Sequence, residues 1–222
     1  MAESKKPQAH QKPVKKQKPN WGLIAGIAAI VIVVIIGIIV AICMMNNKKD
    51  NQSNTDNNDS GETTLVAETG KGNKIDMKYV KLDGEKFSVQ VPSSFRKLSA
   101  SEIADSYDDD ELTTVYSDDD NTVNIALSTS DTALKNSEIK EYLEAMEKYM
   151  ADYSDVLSAR SFEVQGHTIG SLEIISDGIY NHMTFFSYNG NLAIVTFNCE
   201  EDLRNEWEKI GDYIIDSIKF EE

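Results

Sequence analysis

Few side chains in this 222-residue chain are of types that do chemistry, and their spacing narrows what they can do. The densest carboxylates form two runs, Asp105-Ser106-Tyr107-Asp108-Asp109-Asp110-Glu111 and Asp118-Asp119-Asp120. A hard cation such as calcium takes roughly six to eight oxygens in a set geometry, and its usual loop alternates aspartates ahead of a glycine and a distal glutamate. Neither run has that spacing, so both are read as solvated acidic surface. The three histidines, His10, His167 and His182, are nowhere spaced as a ligand pair. Cys199 directly follows the apolar run Leu192 to Phe197, which suits a small inert residue better than a thiolate paired with His182. Cys43 lies far off in another apolar stretch, so no disulfide between the two is expected. There is no phosphate-cradling glycine loop, serine elbow or paired-carboxylate signature in the sequence. The expectation is a non-enzyme with no catalytic, cofactor-binding or metal-binding residue and no cofactor.

Charge removes another class. The formal net charge is −15, and residues 76–222 hold 31 acids against 12 bases, a net of −19. A nucleic-acid binder needs a basic footprint to displace phosphate counterions, so no nucleic-acid partner is expected.

The elements that must position these side chains begin with a membrane segment. Leu23 to Met45 carries no charged or strongly polar side chain over 23 residues. As a helix at about 1.5 Å per residue such a run crosses a bilayer core of ~30 Å. Residues 21–45 are therefore expected to be a transmembrane helix embedded in the lipid bilayer, with Trp21 at the interface. The run is longer than a signal-peptide core and ends Ile42-Cys43-Met44-Met45, without the small residues of a cleavage site. Ile42 likewise stands where a lipobox ending in Cys43 would carry a small residue. Lys5, Lys6, Lys12, Lys15, Lys16 and Lys18 precede the span and only Lys48 and Lys49 closely follow it. The positive-inside rule then places residues 1–20, a basic disordered tail, in the cytoplasm and everything after the span outside it. Gly22 and Gly26 with Ala25 and Ala29 offer a small-residue face for a weak homodimer.

Residues 46–75, rich in Asn, Asp, Ser, Thr and Gly, are expected to form a flexible polar stalk. Residues 76–222 read as one domain. Val80 to Leu82 and Phe87 to Val91 flank Asp83-Gly84, and Thr113 to Ser117 and Thr122 to Ser128 flank Asp118 to Asn121. Further strands are joined at Gln165-Gly166, Asp177-Gly178 and Asn189-Gly190, turns too short for parallel crossovers. One amphipathic helix carries Ile139, Tyr142, Leu143, Met146, Tyr149, Met150 and Tyr153 behind a Ser137 cap. A second runs from about Glu201 to Asp216, and a short one starts at Ser99 with Glu102 three residues on. The strand Leu192 to Phe197 is apolar on both faces and needs cover on both sides. The expected fold class is α+β: an α/β/α sandwich whose mostly antiparallel sheet is covered by helices on both faces.

The run Gly84 to Phe95 with Pro92, the Val164-Gln165-Gly166 turn, the Asn189-Gly190 hairpin and the closing Ile214 to Phe220 together resemble the PsbP-like, DcrB-type α/β/α sandwich domains. What the resemblance implies is a binding, assembly or accessory domain, and it carries over no functional residue. The leading functional expectation is a single-pass bacterial membrane protein whose extracytoplasmic domain acts on a protein or envelope component. Two alternatives stay open. One is a small-ligand receptor using a cleft between the sheet and the Tyr/Met helix. The other is a small hydrolase with an unrecognised site.

Overall fold

Three turns explain most of the architecture. Gln165-Gly166, Asp177-Gly178 and Asn189-Gly190 all have both residues at positive φ, between 48° and 84°, which is the type I′ conformation that matches the twist of two antiparallel strands. They link four strands of ten residues each into a meander: β7 (Asp155–Val164), β8 (His167–Ser176), β9 (Ile179–Tyr188) and β10 (Asn191–Glu200). The computed structural model describes residues 65–82, 86–106 and 112–221, the side chains of residues 104–106 and 112–113 excepted. The expected cytoplasmic tail, transmembrane helix, Gly22/Gly26 face, most of the stalk, the Asp83-Gly84 turn and residues 107–111 of the first acidic run lie outside the described residues. Among those described, no helix is long and apolar enough to cross a membrane.

The remaining strands are β1 (Leu65–Glu68), β2 (Lys74–Lys81), β3 (Phe87–Pro92), β4 (Arg96–Lys97), β5 (Leu112–Ser117), β6 (Val123–Ala133) and β11 (Lys219–Phe220). The helices are α1 (Ala100–Ser106), α2 (Ile139–Met150) and α3 (Arg204–Asp216), the last two each preceded by a 3₁₀ turn. The strands form two sheets, ordered β4-β5-β6-β10-β9-β8-β7 and β1-β2-β3-β11. Every pairing between described strands is antiparallel. The α1 start is the capping box read from sequence, with Ser99 N donating to Glu102 Oε2 at 2.8 Å and Glu102 N to Ser99 Oγ at 3.3 Å. The α2 start differs from the Ser137 expectation. There Lys135 N donates to Glu138 Oε2 at 3.0 Å, and Asn136 Oδ1 accepts from Thr168 N at 2.6 Å, tying the helix to β8.

The α/β/α sandwich with helices on both faces of one sheet does not form. On one face of the large sheet, α2 buries Ile139, Tyr142, Leu143, Met146 and Met150 against Leu172, Ile174, Met183, Phe185 and Ile194. The other face carries Ile125, Leu127, Ile169, Phe186, Val195 and Phe197, and it is covered mainly by the second sheet through Met77, Val80, Phe87, Val89 and Val91, with α3 alongside. The reason is width. Seven strands at ~4.8 Å span roughly 30 Å, about three helix diameters, and among the described residues the helix packed into the core on this face is α3. The double cover required by β10 is thus met by a helix on one side and a sheet plus a helix on the other.

The fold also starts earlier than Asp76. Residues 65–75, read as the end of the stalk, include all of β1, which pairs with β2 from Leu65↔Met77 to Glu68↔Lys74. The loop between them docks on the start of α3: Gly70 N donates to Glu206 O at 2.8 Å, and Lys71 Nζ pairs with Glu206 Oε2 at 2.6 Å.

Candidate functional site

The register set by Asp177-Gly178 places Glu173 of β8 opposite His182 of β9, three steps out from the closing pair Ser176↔Ile179. Both side chains, with those of Ser171 and Tyr180, project toward α3, where one turn brings Asp212 over them. Ser171 Oγ lies 2.8 Å from His182 Nε2, Tyr180 Oη donates to Glu173 Oε2 at 3.0 Å, and His182 Nδ1 stands 3.6 Å from Asp212 Oδ1. That last separation is too long for a hydrogen bond, and Nδ1 has no partner. Glu173, His182 and Asp212 each present a ligand atom within 4.8 Å of the other two, the cluster of that kind among the described residues.

Burial governs the electrostatics. His182 is fully enclosed, and this desolvation, helped by the nearby Arg160 guanidinium, pushes its imidazole down to about 3, so the ring is neutral at pH 7 and makes no ion pair with Asp212. Asp212 is pushed upward from the ordinary carboxylate range by partial burial and by the Glu173 charge, against the opposing pull of Arg160. Arg160 Nη2 sits 3.4 Å from Asp212 Oδ1, and the Arg204 guanidinium lies over the Tyr180 ring at 5.2 Å while Arg204 Nη2 pairs with Glu208 at 3.0 Å.

Serine, histidine and aspartate in this order invite a comparison with an acyl-transfer triad. Its setting differs from that of one. Ser171 and His182 have no exposed surface, Ser171 lies mid-strand on β8 rather than on a turn, and the described cavity lies elsewhere.

The residues singled out from the sequence have other places. Asp118 closes the β5–β6 turn: its Oδ1 accepts from Thr122 N at 2.8 Å and Val123 N at 3.1 Å, and its Oδ2 from Thr122 Oγ1 at 2.7 Å. Its carboxylate is committed to the turn. His167 opens β8 and stacks on Phe220 with ring centroids 3.8 Å apart. Cys199 is buried, and its thiol is pushed up to about 12 by desolvation and then by Asp202 and Glu200, which keeps it protonated. Tyr142, Met146 and Met150 of the Tyr/Met helix are buried in the core under α2, whereas Tyr153 is 68 % exposed. Sequence spacing missed the His182 cluster. Its Glu173–His182 half was available from the two-residue turn, whereas Asp212 joins only through the docking of α3.

A separate groove of about 460 Å³ opens where β2, β3 and β11 meet the end of α3 and the β7–β8 turn. It is lined by Tyr79, Gln90, Gln165, Tyr213, Asp216 and Lys219 among others. Its walls are held by their own bonds: Tyr213 Oη donates to Gln90 Oε1 at 2.9 Å, Phe220 N to Gln165 Oε1 at 2.7 Å, and Lys219 Nζ sits 4.0 Å over the Tyr79 ring.

No protein-family model matches the sequence, and no characterised protein matches it in sequence. Solved structures do. The solution structure of cyanobacterial PsbP (CyanoP) from Synechocystis sp. PCC 6803 is 9 % identical with a TM-score of 0.47, over 65 % of this chain and 92 % of that one. A protein of unknown function from Pseudomonas aeruginosa, PA94, is 12 % identical with a TM-score of 0.37, over 66 % of this chain and 98 % of its own. A Bacteroides thetaiotaomicron structure is 15 % identical with a TM-score of 0.35, over 62 % of this chain and 46 % of its own. The PsbP-like resemblance is one of overall fold, and it carries neither residues nor activity to this chain.

Proposed function

We propose that this protein is a single-pass membrane protein whose folded domain, outside the cytoplasm, binds a protein or envelope component as an accessory factor. The observation that carries this reading is the groove beside Tyr79. It is open, combines two tyrosines, two amides and charges of both signs, and is ordered by its own hydrogen bonds, so an extended segment can dock with little loss of side-chain freedom. Placement outside the cytoplasm rests on the lysine asymmetry around residues 21–45. The burial of Ser171 favours binding over hydrolysis.

The test is a photo-crosslinking side chain at Tyr79 in intact cells, with a second at Glu144 on exposed α2 as reference. A discrete adduct from position 79, absent from position 144 and weakened by Lys219→Glu, is expected. Equal adducts from both positions, or none from position 79, overturn the reading. Protease added to intact cells should digest residues 65–222, and a domain spared until lysis reverses the orientation.

A further inference from the structure

We propose that Glu173, His182 and Asp212 form a binding site for a first-row divalent transition metal, with Zn²⁺ the best-suited ion, seated between β8, β9 and α3. The inference is independent of the groove. It rests first on geometry. Ligands at ~2.0–2.2 Å from a tetrahedral zinc stand roughly 3.4 Å apart, and His182 Nδ1 and Asp212 Oδ1 are 3.6 Å apart. Glu173 completes a set whose atoms all lie within 4.8 Å of one another, so a small inward rotation of one carboxylate closes the site.

The second observation is the ring itself. His182 has no exposed surface, and its Nδ1 points at a carboxylate without bonding to it or to anything else. If Nε2–H donates to Ser171 Oγ, Nδ1 is a bare lone pair facing an Asp212 oxygen whose own partner is the Arg160 guanidinium, 3.4 Å away. A cation between the two gives Nδ1 its partner and can take the place of Arg160 on the carboxylate. The supporting bonds are those a metal site needs, since Ser171 holds the far ring nitrogen and Tyr180 Oη orients Glu173. One imidazole and two carboxylates suit zinc and its neighbours better than calcium, which prefers an all-oxygen shell. Asp212 and Arg160 are 45 % and 47 % exposed, which opens an entry and lets the guanidinium swing aside for the ion.

The experiment uses the full chain in detergent, stripped with EDTA and titrated with Zn²⁺ alone and, in parallel, with Co²⁺ as a spectroscopic reporter of coordination. One ion per chain is expected, with Co²⁺ ligand-field bands. Asp212→Asn, a change at a half-exposed side chain, should lower Zn²⁺ affinity at least tenfold. Ser171→Ala should lower it by about 10- to 100-fold through loss of ring orientation, and Asp118→Asn should leave it unchanged. His182→Gln should abolish the Co²⁺ spectrum. If that variant does not fold, Asp212→Asn and Ser171→Ala decide. Absence of binding by the wild-type chain at ~100 μM Zn²⁺ overturns the proposal. So does wild-type affinity in Asp212→Asn, or displacement of Zn²⁺ by equimolar Ca²⁺, either of which would assign the binding to diffuse acidic surface.

Discussion

Replacing His182 by glutamine should flatten the acid side of the stability profile. Wild-type His182 is held near 3 in the folded protein and titrates near 6.5 in the unfolded chain. The unfolded state therefore binds the extra proton between those values, and stability falls with pH from about 6.5 toward about 3. At ~1.36 kcal/mol per unit, the loss between pH 7 and pH 4.5 is roughly 2–3 kcal/mol, a large part of a typical ~5–15 kcal/mol. The groups around the ring are Ser171 and Glu173 on β8, Tyr180 on β9, Arg160 on β7, and Glu208 and Asp212 on α3. Asp212 acts with the opposite sign. Its folded value is raised, so its contribution is recovered as pH falls through that value and offsets part of the histidine term. Comparing the two proteins isolates His182, because Asp212 titrates in both. The assay is urea unfolding of EDTA-treated residues 61–222 at pH 4.5, 5.5, 6.5 and 7.5, for wild type and His182→Gln. The wild type should lose roughly 2–3 kcal/mol more than the variant across this range. Parallel profiles would show that the imidazole is charged or solvated in the fold and would refute the reasoning.

Two further outcomes follow from packing. A Cβ on Gly211 would lie 2.7 Å from Phe197 Cδ1, so the ~1 kcal/mol that alanine usually adds to a helix is outweighed by overpacking of ~1–3 kcal/mol. Gly211→Ala should lower Tm by a few degrees and Phe197→Leu should restore it, and a raised Tm for the single variant would contradict that contact. A chain beginning at Asp76 loses β1 and the Lys71–Glu206 and Gly70–Glu206 contacts, leaving β2 as a bare edge. It should unfold at lower urea than residues 61–222 and aggregate more readily, while equal midpoints would mean that β1 is dispensable.

The legible parts of this protein are those decided within a few residues of chain. Gln165-Gly166, Asp177-Gly178 and Asn189-Gly190 adopt left-handed conformations that few other residue pairs tolerate, so the hairpins and their antiparallel sense follow from dipeptides alone. The α1 capping box and the apolar stripe of α2 are equally local. Even Glu173 opposite His182 is counted outward from a turn. Which layer covers the second face of β10 is not local. Helix and sheet bury apolar surface equally well, and the choice fell to the second sheet because one helix cannot span seven strands. The same holds for Leu65 to Ile75, whose short apolar alternation gains its partners only when β2 and α3 are in place. The site is the sharpest case. Asp212 lies 30 residues from His182 in a helix whose acids look alike in sequence, and it is the docking of α3 through Ile210, Ile214 and Ile215, with Gly211 close against Phe197, that brings its carboxylate to the imidazole.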